Sequence, residues 1–207
     1  MVIAGVSSDR GKWSNIMFRR LLDGPFDGEL IAVNPARSEV EGQPCYASLR
    51  DVPGEVDYVQ LLVAREHTVD AVRDCVARKV PVVHVLSSGF GEVSGEGPGL
   101  QSALVEALAG GASALIGPNS LGLYSAGHGL CFSDGCHFDP GPVTFISQSG
   151  ALCTDVLAQG QIRGVKFSKV LSVGNCADLD WPDYVRYCRH DPETGIAVFY
   201  IESTSNG

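Results

Sequence analysis

Short apolar segments separated by helix-like segments run through the first half of the chain, and this alternation strongly constrains its fold. The apolar segments lie at residues 2–6, 29–33, 56–63, 81–86 and 112–116. The helix-like segments between them lie at 15–22, 66–78 and 100–108. Continuously apolar strands are buried on both faces, as in a parallel sheet that helices cover on both sides. The sequence therefore predicts an α/β fold.

The alternation stops at residues 125–142, a segment rich in glycine and proline, and then starts again. Strands are predicted at 143–146, 167–173 and 196–201, with helices at 151–159 and 180–188. Two or three strands do not bury a complete core. We therefore predict a first domain at 1–125, a linker at 126–142 and an incomplete second α/β domain at 143–207.

The overall charge argues against polyanionic partners. The formal net charge is −9 and the isoelectric point is about 4.9, so nucleic acids and anionic membranes would be repelled. The sequence has no apolar run long enough to span a membrane, and its apolar start is too short for a signal peptide. We expect a cytoplasmic protein with no nucleic-acid or membrane partner.

The seven cysteines are scattered and form no C-x-x-C motif, which favours reduced thiols over a disulfide framework. His128, Cys131, Cys136 and His137 are residue types that bind zinc, but their spacing matches no standard zinc module. We therefore predict no metal site and interpret this segment as part of the linker.

A glycine-containing loop from Gly5 to Lys12 follows the first predicted strand. Such a loop at a helix start provides free amides for a phosphate. It lacks the dinucleotide pattern G-x-G-x-x-G, and the second strand ends in Asn34 rather than in the acid that holds a nicotinamide cofactor's ribose. Arg10, Lys12 and Arg37 suit the 3′-phosphate and pyrophosphate of coenzyme A (CoA). The alternative is a phosphate-free turn with solvated basic side chains.

A second polar turn, from Ser147 to Gly150, joins a strand to a helix. Its serine hydroxyls and helix amides suit an anion, and the alternative is simple helix capping. It is no nucleophile elbow, because no glycine stands two residues before either serine. The loop containing Gly174 and Asn175 is predicted to lie close to this turn. Glu202 follows the last strand and would lie at the active edge of the sheet, although a lone acid there is also compatible with a surface charge.

Seven motifs occur in the order found in NDP-forming acyl-CoA synthetases, and together they span nearly the whole chain. They are VIAGVSSDRGKW from residue 2, VNP from 33, CYASL from 45, SSGF from 87, IGPNSLG from 116, FISQSGAL from 145 and SVGN from 172. The chain thus resembles the CoA-binding α part of succinyl-CoA ligase. The resemblance implies a Rossmann-like parallel-sheet CoA-binding domain followed by the first part of a flavodoxin-like ligase domain.

The resemblance also implies roles for individual residues. The CoA phosphates would be surrounded by Ser7, Ser8, Asp9, Arg10, Gly11 and Lys12, with Asn34 and Arg37 near the ADP moiety. The CoA channel would be lined by Val63, Ala64, Arg65, Ser87, Ser88, Gly89 and Asn119. Phosphate carried by a histidine would be bound by Ser147, Gln148, Ser149, Gly150, Gly174 and Asn175. Glu202 would orient that histidine.

The chain departs from the family pattern in ways that bear on its activity. Ala64 replaces a usual proline, residues 204–206 replace a glycine-containing turn, and the chain starts inside the first strand. The phosphorylated histidine normally lies some tens of residues beyond Glu202, and none of the five histidines matches it. We therefore expect this chain alone to be inactive.

The complete family reaction converts an acid, CoA and NTP into acyl-CoA, NDP and phosphate. By resemblance, ATP or ADP and magnesium would be bound by an ATP-grasp subunit or domain, not by this chain. The partners implied are that unit, the remainder of the ligase domain and a small acyl substrate, and an oligomer is compatible with the sequence. Two other hypotheses are a non-catalytic CoA- or nucleotide-binding regulatory module and an NAD-dependent oxidoreductase, the latter disfavoured by Asn34.

Overall fold

A computed structural model describes residues 1–204 and arranges them around two β-sheets. The eleven strands are β1 (Val2–Ala4), β2 (Ile31–Val33), β3 (Glu39–Val40), β4 (Gln43–Tyr46), β5 (Tyr58–Leu61), β6 (Val82–Val85), β7 (Ala114–Ile116), β8 (Leu123–Ser125), β9 (Val143–Ser147), β10 (Phe167–Ser172) and β11 (Ile196–Tyr200). The five α-helices are α1 (Trp13–Asp23), α2 (Arg65–Ala77), α3 (Gly97–Leu108), α4 (Gly150–Ile162) and α5 (Trp181–His190). Short 3₁₀ helices lie at Leu49–Asp51 and Ala126–His128.

The first sheet has the order β3-β4-β2-β1-β5-β6-β7. All its neighbouring strands are parallel except the β3–β4 pair. Successive side chains of a strand point to opposite faces, so each strand packs against both helical layers. Ile3 packs with Phe18 of α1 on one face, and Leu61 and Val85 pack with Leu104 of α3 on the other. The prediction of a parallel α/β sheet is confirmed.

The β3–β4 hairpin was not predicted. Its strands have two and four residues, and Glu39, Gln43 and Pro44 are exposed, so no apolar run marks it. Glu41 and Gly42 form its turn, with φ values of 52° and 75°. Positive φ at both central residues is the geometry that two-residue hairpin turns require.

The second sheet has the order β11-β9-β10-β8. Strands β11, β9 and β10 are parallel, and β8 runs antiparallel to β10. The predicted strands and helices of this half are all present. Strand β8, which is Leu123–Ser125, belongs to this second sheet although the predicted first domain extends to residue 125. The limits 1–125, 126–142 and 143–207 stay a prediction.

The segment between β8 and β9 is packed rather than extended through solvent. Phe132 is fully buried in the core of the second sheet. Arg20 of α1 donates to the carbonyl oxygen of Phe132 at 2.6 Å and pairs with Asp134 at 2.6 Å. This segment therefore fastens the first helix to the second sheet.

Two of the seven cysteines lie next to each other in the structure. The structure brings Cys131 and Cys136 together, with their Cα atoms 6.7 Å apart, and the preference for reduced thiols over a disulfide framework stays a prediction. The other five cysteines are free, and four of these are buried. Among residues 1–204, no group of three or more His, Cys, Asp or Glu side chains is arranged to hold a metal ion.

Candidate functional site

The loops that follow β1, β5, β6 and β7 meet at the carboxyl edge of the first sheet. The strand order reverses direction between β1 and β5, and ligands of open α/β sheets bind at such a point. A shallow crevice of about 290 Å³ lies there, lined by Lys12, Trp13, Ser14, Leu62, Leu86 and Ser87. The topology thus brings the loop Gly5–Lys12 and the loop around Ser87 to one crevice.

The loop Gly5–Lys12 is held in a fixed shape by its own polar groups. Gly5 has φ 91°, and a Cβ there would lie 2.4 Å from the carbonyl oxygen of Leu62, so only glycine fits. Ser7 donates its amide to Ser14 Oγ at 3.1 Å and accepts from the Asp9 amide at 3.0 Å. The Gly11 amide donates to Asp9 Oδ1 at 2.9 Å. The side chains of Ser7 and Asp9 therefore shape the loop.

Helix α1 begins at this loop without a capping side chain on Lys12. The first amides of a helix have no intrahelical acceptors, and the helix dipole adds positive potential there. Ser8, Arg10, Gly11 and Lys12 are exposed at this helix start. The arrangement can bind a phosphate group.

An acid from the unpredicted hairpin lies against this loop. Glu41 accepts from Arg10 Nε at 3.1 Å and from Arg10 Nη2 at 2.5 Å, and Asn15 Nδ2 donates to it at 3.0 Å. Hydrogen bonds from Arg10 and then Asn15 lower the pKa of Glu41 to about 2. Glu41 binds the Arg10 guanidinium through two parallel hydrogen bonds, the bidentate geometry that a phosphate would also use.

Asn34 and Arg37 follow β2, next to the same loop. Asn34 Nδ2 donates to the Val6 carbonyl oxygen at 2.8 Å, and Asn34 Oδ1 accepts from the Ala36 amide at 2.9 Å. The Asn34 side chain is therefore a support for the backbone. Arg37 is exposed, and its guanidinium donates to the carbonyl oxygen of Ala36 at 3.2 Å.

The loops after β5 and β6 are joined to each other. Ser87 Oγ donates to the carbonyl oxygen of Val63, and the Asn119 amide donates to the carbonyl oxygen of Ser87 at 2.8 Å. A Cβ on Gly89, whose φ is 98°, would lie 2.8 Å from Arg65 Cδ. Ala64 immediately precedes α2 and provides no capping side chain. The predicted channel residues, including exposed Ser88, are thus on adjacent loops of one edge.

The turn Ser147–Gly150 lies at the carboxyl end of β9. Ser147 is fully buried, and its hydroxyl donates to the Ser149 carbonyl oxygen at 2.9 Å and accepts from the Ser149 amide at 3.0 Å. Ser149 caps α4, because its Oγ accepts from the Leu152 amide at 3.3 Å. The amides of Gly150 and Ala151 precede Leu152 in the first helical turn, where an α-helix offers them no acceptor. They are the groups of this turn that suit an anion.

Gln148 joins this turn to the end of β11. Its Oε1 accepts from the amides of Glu202 and Ser203 at 2.6 and 2.9 Å, and its Nε2 donates to Ser203 Oγ at 3.2 Å. The Glu202 side chain is exposed. The structure thus places the Glu202 backbone beside the turn Ser147–Gly150, through a side chain that sequence reasoning had assigned to phosphate binding.

Gly174 and Asn175 contact the first domain. Strand β10 is the neighbour of β9, and Ser172 is in register with Ser147. Beyond β10, the Asn175 amide donates to the Pro118 carbonyl oxygen at 2.9 Å. A Cβ on Gly174 would lie 2.0 Å from that same oxygen. This loop therefore closes against residues 117–119.

A buried chain of hydrogen bonds crosses beneath these loops. Ser120 Oγ donates to the Ser172 carbonyl oxygen at 2.7 Å, so its single proton is used. His84 Nε2, 2.5 Å from Ser120 Oγ, must then be the donor, and His84 Nδ1 accepts from the Tyr58 hydroxyl at 2.6 Å. Gln60 Nε2 donates to the Tyr58 oxygen at 3.0 Å. Burial lowers the pKa of His84 to about 3, and the ring is neutral.

The chain matches two known domain families, one in each half. The CoA binding domain family matches residues 1–126, and the succinyl-CoA ligase like flavodoxin domain family matches residues 140–207. The chain is 35% identical to acetate–CoA ligase [ADP-forming] I of Archaeoglobus fulgidus, matching over its full length and over 30% of that protein. It is 32% identical to the α subunit of acetate–CoA ligase [ADP-forming] II of Pyrococcus furiosus, again over its full length and over 45% of that subunit.

A solved structure shows the same arrangement. It is the dinucleotide-forming acetyl-coenzyme A synthetase 1 of Ca. Korarchaeum cryptofilum in complex with phosphate and ADP, with a TM-score of 0.90 and 32% identity. The match covers all of this chain and 45% of that one. The two sheets and their edge loops are those of a CoA-binding domain followed by a ligase domain. The chain belongs to the NDP-forming acetate–CoA ligase family, and it spans less than half the length of these relatives.

In the part of the chain that the structure describes, no helix is long and apolar enough to cross a membrane.

Proposed function

We propose that the chain provides the CoA-binding and phosphate-binding portion of an NDP-forming acyl-CoA synthetase. One observation carries this proposal: two helix starts, at α1 and α4, lie at the carboxyl edges of the two sheets, and loops at these edges meet where the Asn175 amide donates to the Pro118 carbonyl oxygen. The loop Gly5–Lys12 supports a role in binding the phosphates of CoA. The turn Ser147–Gly150 supports a role in binding the phosphate that is transferred.

The fit of the crevice to CoA follows from its backbone. Gly5 and Gly89 both have positive φ; a Cβ on Gly5 would collide with the backbone of the loop after β5, and a Cβ on Gly89 would meet the Arg65 side chain. Such glycines let backbone amides approach a pyrophosphate closely. Lys12 adds a flexible cation at the same edge, and Arg10 adds one whenever it leaves Glu41.

The reaction we propose for the whole protein has three steps. In the acyl-CoA-consuming direction, phosphate attacks the thioester, the carbon–sulfur bond breaks, and CoA and an acyl phosphate form. The phosphoryl group then moves to a histidine, which releases the free acid, and from the histidine to NDP. Amides at the start of α4 would stabilise the phosphoryl oxygens, which is the main task of an enzyme in such a transfer.

Glu202 is proposed to hold the imidazole of that histidine in one tautomer. Its backbone is fixed beside the turn by Gln148, and its carboxylate is exposed, which suits contact with another part of the protein. The histidine itself would come from the remainder of the ligase domain. ATP or ADP and magnesium would be bound by an ATP-grasp subunit or domain.

The exposed apolar side chains of strand β11 indicate that another part of the protein covers this edge of the second sheet. Ile196, Val198 and Tyr200 of β11 are 56%, 43% and 42% exposed, and β11 is the last strand of its sheet on that side. An edge strand with exposed apolar side chains is normally covered in a native protein. We propose that the remainder of the ligase domain covers it.

Isothermal titration of the purified chain with CoA, dephospho-CoA and NAD tests the CoA site. We expect CoA to bind more tightly than NAD, because Asn34 offers no carboxylate to ribose hydroxyls. Dephospho-CoA should bind more weakly than CoA, and this difference should disappear in Arg37→Ala if Arg37 meets the 3′-phosphate. NAD binding as tight as CoA binding would contradict the proposal and favour a nucleotide-binding module of another kind.

A further inference from the structure

A carboxylate that no motif identified lies where the two domains' loops cross. Glu92 Oε1 accepts from the Gly89 amide at 2.5 Å, and Oε2 accepts from the Phe90 amide at 3.2 Å. Oε2 also accepts from Asn175 Nδ2 at 2.5 Å. The two amides belong to the loop after β6, and Asn175 belongs to the loop after β10. One side chain therefore connects the predicted CoA channel with the second domain.

Asn175 is fixed from several other directions. Its Nδ2 donates to Gln101 Oε1 at 2.9 Å, and its Oδ1 accepts from Asn119 Nδ2 at 3.3 Å. Gln101 Oε1 also accepts from the Gly91 amide at 3.0 Å. The loop 89–91 is therefore bound to the second domain by two routes that both end on the Asn175 side chain.

Glu92 makes these contacts only as a carboxylate. Three donors point at its two oxygens, and a protonated acid would place a further donor among them. Burial alone raises the pKa of Glu92, but hydrogen bonds from Asn175 and from the amides of Gly89 and Phe90 outweigh it, so the pKa is lowered overall. The ionised form is the one that the two loops share.

We propose that Glu92 is a positioning residue that couples CoA binding on the loop 87–91 to the position of Asn175 in the second domain. The inference rests on the proposed CoA site. Irregular loops lack the ladder hydrogen bonds of a sheet, so the charge-assisted bonds of Glu92, together with the contacts of Asn175 to Gln101 and to residues 118 and 119, set their relative position. CoA that moves or orders Gly89 thereby moves or orders Asn175.

Glu92→Gln is the test variant, because it keeps the shape and replaces one acceptor oxygen by an NH₂ group. Glu96→Gln is the matched control, since Glu96 is exposed four residues away and makes no side-chain cap. Titration calorimetry should show CoA binding about tenfold weaker in Glu92→Gln, the effect of losing one charge-assisted hydrogen bond. Glu96→Gln should bind CoA like the parent chain.

Nuclear magnetic resonance separates coupling from a general loss of structure. In the parent chain CoA should shift both the Asn175 side-chain amide signals and the indole signal of Trp13, which lines the crevice. In Glu92→Gln at saturating CoA the Trp13 shift should remain and the Asn175 shift should become smaller, because only the route through Gln101 is left. A residual Asn175 shift of full size together with unchanged affinity would overturn the inference.

The outcomes are distinguishable from a failure of the proposed function. If the parent chain does not bind CoA at all, the proposed function fails and no comparison of variants is needed to show it. If Glu92→Gln does not fold, Asn175→Ala removes the other partner of the same contact. A folded Asn175→Ala that binds CoA as tightly as the parent would overturn the coupling, and weaker binding would support it.

Discussion

The neutral, buried His84 predicts that the protein loses stability in mild acid before most of its carboxylates titrate. The pKa of His84 is lowered by burial from 6.5 to about 3 in the folded protein. An unfolded chain therefore takes up a proton below pH 6.5, whereas the folded chain does so only near pH 3. Stability that is fully present above pH 6.5 is lost progressively as the pH falls towards 3.

The size of the effect follows from proton linkage. Between pH 7 and pH 5 these two pKa values lower the free energy of unfolding by about 2 kcal/mol through His84 alone. The assay is urea denaturation at pH 7, 6 and 5, comparing the parent chain with His84→Gln, which has no titrating ring. The parent should lose about 2 kcal/mol more than the variant over this range.

Equal losses in both proteins would refute the reasoning. So would a His84 ring signal that titrates between pH 5 and pH 7 in the folded chain, because that observation requires a pKa near its ordinary value. The ring signal can be followed in the parent protein, so the prediction is tested even if His84→Gln is too unstable to analyse.

Three further predictions concern the edge loops. Glu41→Gln should tighten CoA binding severalfold, because a neutral amide no longer competes with phosphate for Arg10; titration calorimetry measures this, and no change relative to the exposed hairpin control Glu39→Gln would count against it. Gly174→Ala should destabilise the chain by more than about 2 kcal/mol in urea denaturation, since its Cβ would meet a carbonyl oxygen at 2.0 Å as well as adopting φ 57°. Gly164→Ala has φ 79° and open space, so it should cost only about 1 kcal/mol, and equal costs would contradict the steric argument. Ser149→Asp should keep α4 folded, because aspartate also caps helices, yet abolish phosphate binding by charge repulsion; a phosphate-dependent shift of the Gly150 amide signal that persists would disprove it.

The sequence predicted the order and kind of the main elements because their signal is local. A buried parallel strand appears as a continuous apolar run, and the runs at residues 81–86 and 143–146 lie within two residues of β6 and β9. The β3–β4 hairpin gave no such signal, because Val40 is its most buried residue and the side chains around it are polar. Missing the hairpin meant missing Glu41, which the fold brings to the loop Gly5–Lys12 from a turn 31 residues after Arg10.

Contacts between the two domains also could not be predicted, because they leave no local pattern in the sequence. The motif around Asn175 indicated a polar loop at a strand end, which the structure confirms. Nothing in the local pattern indicated that Asn175 would face Glu92, 83 positions earlier in the chain, because this contact depends on how the two sheets pack. The role of Gln148 in holding the Glu202 backbone also requires the parallel pairing of β9 with β11.

The central claim is that the helix start at α1 binds the phosphates of CoA while the helix start at α4 binds the phosphate to be transferred. A crystal structure of the chain with CoA and inorganic phosphate tests this most directly. We predict the CoA pyrophosphate within hydrogen-bonding distance of backbone amides in residues 8–13, and phosphate on the amides of Gly150 and Ala151. CoA bound elsewhere, or only ordered water at the start of α4 in a high concentration of phosphate, would contradict the account.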